Sequence, residues 1–233
     1  MSAPPTRRSS PPKTHRTPPP DPSRRRPRRS RKKSRQNRWI DRAIVILLIA
    51  AAVLVGCLIH ETGMIQMWKL RQNRVPEWVD VQILNVSAGG RRMARLDRVN
   101  DIAVHYVANP GSSAQQNRDF FDQPQTPVSA HFVVGLEGEV IQCLPLEEKS
   151  SATNERNRDT ISIEVCHPAP DGKFTPETYE ALVRLTAWLC DYTGIGRDHV
   201  IRHYDVTGKL CPLYYVEHPE AWEQFLLDVK QYE

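Results

Sequence analysis

Polar, basic and proline-rich positions fill residues 1–42, and an unbroken run of 17 uncharged residues (AIVILLIAAAVLVGCLI) follows over 43–59. Rising 1.5 Å per residue, with Trp39, Ile40 and the stretch 64–68 available at the interfaces, this run predicts a transmembrane helix over 43–60, enough for a bilayer core of about 30 Å. Beyond it the period of the pattern changes. Residues 64–74 can prolong the helix until Pro76 ends it, and VDVQILNV (79–86) alternates like a strand. Ser87-Ala88-Gly89-Gly90 is a break, so 61–97 reads as a stalk and lead-in. From 98 onward, strands are expected at 102–107 (IAVHYV), 131–135, 140–144, 160–166 (TISIEVC) and 200–202, the second and third joined by a tight turn. Helices are expected at 114–121, after Ser112 and Ser113, and at 176–192. Thr175 would cap the second, Pro176 would take its first position, and Gly194 would close it. Its apolar stripe is Tyr179, Leu182, Val183, Leu185, Thr186 and Leu189. A third helix over 219–232 turns Trp222, Phe225 and Val229 inward. Strands interleaved with helices predict an α/β domain over 98–233, a mixed central β-sheet flanked by helices.

Charge divides the chain at the same place. Fifteen of the 32 Lys+Arg and two of the 27 Asp+Glu precede residue 43, so residues 1–42 carry a net +13 and the remainder −8. The tail also holds nine of the 19 prolines and no large apolar side chain between Met1 and Trp39, so 1–42 is expected to be disordered. The pI near 9.0 therefore belongs to the tail, and an acidic folded part excludes a general nucleic-acid binder. A cleaved signal peptide fits poorly, because 42 residues precede the apolar run and no small-x-small site follows it. The positive-inside rule puts the tail in the cytoplasm and the domain outside, as a single-pass signal anchor. The basic run 24–38 would be drawn to anionic lipid.

The five cysteines are Cys57, Cys143, Cys166, Cys190 and Cys211. They lack the close spacing of a disulfide framework, and Cys143, Cys166 and Cys190 fall on apolar faces, where a free thiol serves as a small hydrophobe. Cys211 differs, lying in the polar loop TGKLCP eight residues after His203. Both are good Zn²⁺ ligands, and His105, an imidazole inside an apolar strand, is the candidate for a third. Spacing alone leaves the bland alternatives open: a hydrogen-bonded core histidine and an ordinary loop thiol.

Four blocks in order change that balance: IAVHYVAN with His105, SAHFVVGLEGEVIQCLP, NRDTISIEV with Glu164, and IRHYDVTGKLCP with His203, Lys209 and Cys211. Together they make residues 98–233 resemble the zinc-dependent N-acetylmuramoyl-L-alanine amidases of the type-2 group, which includes phage lysozyme, peptidoglycan recognition proteins and AmpD-like enzymes. The resemblance implies zinc held by His105, His203 and Cys211, with peptidoglycan or its muropeptides as substrate outside a bacterial membrane. It also implies Glu164 as the catalytic base, and Lys209 as the cation near the developing oxyanion. Alternation in TISIEV independently turns Glu164 to the face of Ser162, away from Ile161, Ile163 and Val165. Two departures stand out. Ala130 occupies the place of a tyrosine that helps catalysis in some branches, and 149–154 replaces a Trp-His pair that lines the groove in many relatives. His131 reads as structural and Asp205 as a partner behind a zinc ligand. A non-catalytic peptidoglycan-binding module on the same fold, and a tethered wall-docking protein without zinc, are the competing readings.

Overall fold

The computed structural model describes residues 31–61 and 63–232, so the greater part of the tail expected to be disordered lies outside the described residues. Helix α1 (Arg31–Glu61) starts within the basic stretch, earlier than the apolar run alone suggests. The reason is cooperative: Lys, Arg and Gln are good helix formers, no proline follows Pro27, and extending an existing helix avoids the cost of nucleation. Within it, Asn37–Leu58 is long and apolar enough to cross a membrane, with a mean hydropathy of 2.4. The chain divides after Leu54 into two compact units, and the second holds every described strand.

In that unit come α2 (Met64–Gln72), β1 (Val79–Val81), β2 (Asp101–Val104), α3 (Ala114–Phe121), β3 (Phe132–Val134) and β4 (Val140–Gln142). A 3₁₀ turn (Asn154–Arg158) leads into β5 (Thr160–Val165), followed by α4 (Pro176–Thr193), β6 (Val200–Arg202), α5 (His203–Thr207), α6 (Leu213–Glu217) and α7 (Pro219–Gln231). The sheet order is β1-β4-β3-β5-β2-β6, parallel throughout except for the β3–β4 hairpin. This is a mixed sheet with helices on both faces. On one face Phe132, Val134, Ile161, Ile163 and Val165 meet Leu182, Leu185 and Leu189 of α4, with Phe225 and Val229 of α7 behind them. On the other, Val133, Ile141, Cys143 and Cys166 meet Ala114 and Phe121 of α3. Each fully buried Leu, Ile or Phe contributes about 1.5–3 kcal/mol of hydrophobic stabilisation.

Packing begins earlier than the domain start expected at residue 98. Leu70, Val79, Leu84, Ala88 and Leu96 are all buried, and β1 pairs with β4. Gly90, expected to be part of a break, is a point of close approach, where an added Cβ would lie 2.2 Å from the Val128 carbonyl oxygen. Most of the strands are shorter than the alternating pattern. Over 79–86 only the first three residues form a strand. Beyond them Gln82 and Ile83 give their carbonyls to the Arg118 guanidinium of α3 at 3.1 and 3.2 Å, while the N–H groups of Gln82 and Leu84 still donate to the carbonyls of Gln142 and Cys143 at 3.0 and 2.9 Å. β2 likewise stops at Val104, although His105 and Val107 still donate their N–H groups to Ile163 and Val165 of β5 at 2.8 and 3.1 Å. All five cysteines are free thiols, and Cys143, Cys166, Cys190 and Cys211 are buried.

Candidate active site

Strand register assembles the site. β2, β5 and β6 are parallel neighbours, so their C-terminal ends emerge together. Ile102 and Val104 of β2 face α4, which turns Ala103 and His105 to the other side; Ile161, Ile163 and Val165 do the same for Ser162 and Glu164. In β6, Arg202 is level with Val104, so His203 stands one step beyond, beside His105. The imidazole centroids are 4.8 Å apart at an interplanar angle of 62°. Cys211 returns on the loop after α5, tied by the hydrogen bond from Tyr204 N–H to its carbonyl (3.0 Å), and its Sγ lies 3.8 Å from His105 Nδ1.

The three donor atoms lie within 4.8 Å of one another, and the three residues are 1%, 5% and 2% exposed for His105, His203 and Cys211. The cluster can therefore hold a metal ion, and two observations test the fit. His203 Nδ1 is buried without a hydrogen-bond partner, while its Nε2 meets Asn154 Oδ1 at 2.9 Å. A buried lone pair without a partner carries a cost that a cation would remove. The charge balance points the same way. Burial, with His203 and Lys209 adding to it, pushes the His105 pKa well below its ordinary value, and burial with Lys209 lowers His203 against the charge of Glu155, so both rings are neutral donors. Burial, reinforced by Glu164, lifts the Cys211 thiol to about 12, against a backbone N–H from Tyr106 and the charge of Lys209 that favour the thiolate. A thiol that resists ionisation in low-dielectric surroundings is one that a dication would deprotonate.

Glu164 is half-buried on the floor of the same cleft, with Oε2 buried and unpartnered. Burial raises its pKa to about 8, and Lys209 opposes the rise. Lys209 is exposed and lines the cleft. The cleft encloses ≈ 490 Å³, with Gln116, Phe120 and Phe121 of α3 and Val128 forming the wall opposite the cluster. His105, Glu164, His203, Lys209 and Cys211 are thus all brought together. His131 stands apart from the cleft lining. Ser162 N–H donates to its Nδ1 at 3.0 Å, so Nε2 carries the proton that is donated to the Glu148 carbonyl at 2.8 Å. Burial holds this ring neutral, with a pKa of about 4. Asp205, expected behind a metal ligand, instead pairs with Arg202 at 2.7 Å and caps its own helix through the Arg202 N–H. An arginine three residues away in sequence offers a fork that a carboxylate accepts with two oxygens, and this captures it. Thr153 and Asn154 were not singled out as individual site residues in the sequence; both touch the histidines, Thr153 Oγ1 lying 3.1 Å from His105 Nε2.

Parallel strand ends bring two histidines and a glutamate to one cleft, and the loop after α5 adds a cysteine. Residues 95–213, just over half of the chain, match the N-acetylmuramoyl-L-alanine amidase family, and the chain belongs to it. It is 33% identical over 135 residues to N-acetylmuramoyl-L-alanine amidase CwlL of Bacillus licheniformis, a match covering 51% of this chain and 37% of that protein. It is 31% identical over 157 residues to N-acetylmuramoyl-L-alanine amidase BlyA of Bacillus subtilis, covering 58% and 42%. The chain thus spans about two fifths of the length of these curated relatives. Among solved structures, the catalytic domain of XlyA superposes with a TM-score of 0.57 at 27% identity, covering 65% of this chain and 98% of that domain.

Proposed function

We propose that the chain is a membrane-anchored peptidoglycan hydrolase, cleaving the amide between N-acetylmuramic acid and L-alanine with zinc held by His105, His203 and Cys211. The observation that carries this reading is the buried His-His-Cys cluster opening onto a cleft that also holds a carboxyl and an ammonium group. Three protein ligands with room for a fourth is the pattern of catalytic rather than structural zinc. Zinc, when bound, supplies Lewis acidity toward the scissile carbonyl and a lowered pKa for water. Glu164, whose Oε2 has no partner in the protein, would be held as the carboxylate by the charge of a bound dication and of Lys209, so that it accepts the proton from attacking water and returns it to the departing amine of L-alanine. Lys209 brings a positive charge to the cleft where the oxyanion develops. Phe120 and Val128, both exposed in the cleft wall, give the substrate an apolar surface to lie against. The helix segment Asn37–Leu58 serves as the anchor, with the basic tail on the cytoplasmic side and the cleft on the wall side.

The test is digestion of purified muropeptides by the full chain in mild detergent, with and without a zinc chelator, and mass analysis of the products. Release of free L-alanyl peptides, abolished by the chelator and restored by zinc, is expected. Retention of peptidoglycan without new amines would mark a binding module instead, and chelator-resistant cleavage would rule out the metal reading.

A further inference from the structure

We infer that Thr153 and Asn154 are positioning residues for the metal site: they fix both imidazoles in the tautomer that presents Nδ1, and so set how tightly the ion is held. The inference rests on the reading of His105, His203 and Cys211 as the ligands. A neutral imidazole has one N–H and one lone pair, and the partner of one nitrogen decides what the other can offer. At this site each ring meets an oxygen on the same side. Asn154 Oδ1 lies 2.9 Å from His203 Nε2 and Thr153 Oγ1 3.1 Å from His105 Nε2. An amide oxygen can only accept, so His203 Nε2 carries the proton and the lone pair falls on Nδ1, the buried atom without a partner. For His105 the hydroxyl could accept or donate, and Cys211 resolves the choice. Its Sγ faces Nδ1 at 3.8 Å, so Nδ1 is the nitrogen directed at the shared site.

The segment that supplies these acceptors is itself braced. Asn157 Oδ1 accepts from the N–H groups of Ala152 and Thr153 at 2.9 and 2.7 Å. Arg156 bridges Asp159 at 2.8 Å and Asp101 of β2, which ties the 3₁₀ turn to the strand that carries His105. Asn154 sits at φ +53°, a left-handed conformation that Asn tolerates better than most residues. Thr153 is fully buried, so its hydroxyl is committed to protein. This is the stretch where the sequence departs from the Trp-His pair of its relatives. Its two polar residues, buried Thr153 and exposed Asn154, are 48 and 49 positions from the histidines they meet, and meet each ring at Nε2.

The experiment measures zinc affinity by competition with a chromophoric chelator, on the full chain in mild detergent after metal stripping, together with the thiolate-to-metal absorption band of the Co²⁺-loaded protein. Asn154→Gly removes the acceptor and keeps the left-handed backbone accessible, and Thr153→Val removes the hydroxyl at nearly constant volume. Each is expected to weaken zinc binding about 10–100-fold, the usual cost of losing a partner behind a metal ligand. Asn154→Asp and Thr153→Ser keep an acceptor oxygen and should stay within about threefold of wild type, as the acceptor role requires. A purely structural role would lower the melting temperature of the metal-free protein in all four variants without separating the two pairs. Zinc bound tightly by wild type and equally well by Asn154→Gly and Thr153→Val overturns this inference alone; a wild-type chain that binds no zinc overturns it together with the metal reading. If Asn154→Gly does not fold, the contrast between Thr153→Val and Thr153→Ser decides.

Discussion

Glu164 combines two properties at the residue scale that bear on opposite measurements. On the proposed reading of it as the base, Gln in its place should leave shape and zinc content intact, while kcat falls on the order of 10²–10⁴-fold; a rate within a few-fold of wild type would move the proton transfer to another group. As a buried acid it also costs stability. Its folded pKa of about 8 lies above the usual carboxyl value, so the folded state holds a proton that the unfolded state has released. Stability of the metal-free protein therefore falls as pH rises from the ordinary carboxyl range to about 8, and the loss is complete above that. Melting curves of the chelated protein should accordingly show Glu164→Gln gaining on wild type between pH 5 and 8.5, and matching it near pH 4. The cysteines give a second contrast. Burial pushes Cys143, Cys166 and Cys190 up to about 12, and none of them belongs to a group of three possible metal ligands among the described residues. Cys211→Ser should thus lower zinc content while the other three Ser variants keep it, as measured by metal analysis of the purified proteins.

Helix ends are where sequence and structure agree most closely at the level of elements, because capping is local. Ser113 with Gln116 forms a capping box at the start of α3, and Thr175 Oγ1 accepts from Thr178 N–H at 3.1 Å at the start of α4. Gly194 closes α4 at φ +75°. Thr175 also donates to the Leu136 carbonyl at 2.8 Å, joining α4 to the β3–β4 turn. Thr175→Ala should therefore cost about 1–2 kcal/mol, a drop of roughly 3–6 °C in melting temperature for a domain of this size; calorimetry of the zinc-loaded protein checks it. Strand ends were less legible. Alternation over 102–107 and 79–86 continues into residues that keep single ladder hydrogen bonds while the chain turns to build the site or to meet Arg118, and pattern alone does not register that. The lead-in residues are hard to read for a related reason. Val79–Val81 joins the sheet by pairing with β4, about 60 positions away in the chain, which buries Val79 and leaves Val81 exposed, and nothing local announces a partner so distant. His105, His203, Cys211 and Glu164 stand out because their residue types can carry such chemistry, but the resemblance of the four blocks, not the spacing, singled them out. Thr153 and Asn154 do not stand out, since a buried acceptor and a solvated loop residue look alike in one dimension.

For the molecule as a whole, the contrast between a tail of net +13 and a remainder of −8 makes location a measurable property. With Asn37–Leu58 as an anchor, the full chain should stay with the membrane fraction through high-salt and alkaline washes, and a variant lacking residues 1–58 should leave it. An intact N-terminal sequence on the membrane-bound protein distinguishes an anchor from a cleaved signal. The position of the ligands along the chain has a further consequence, in the timing of biosynthesis. His105 and Cys211 are 106 residues apart, and His203 falls late with Cys211. A nascent chain has only one of the three donors until nearly the whole domain has been made. On the proposed metal reading, zinc can be captured only after β6 has joined β2. Metal loading would then act as a checkpoint on a domain already folded through β6, and chains truncated before His203 would be left without the extra stability that a bound ion gives.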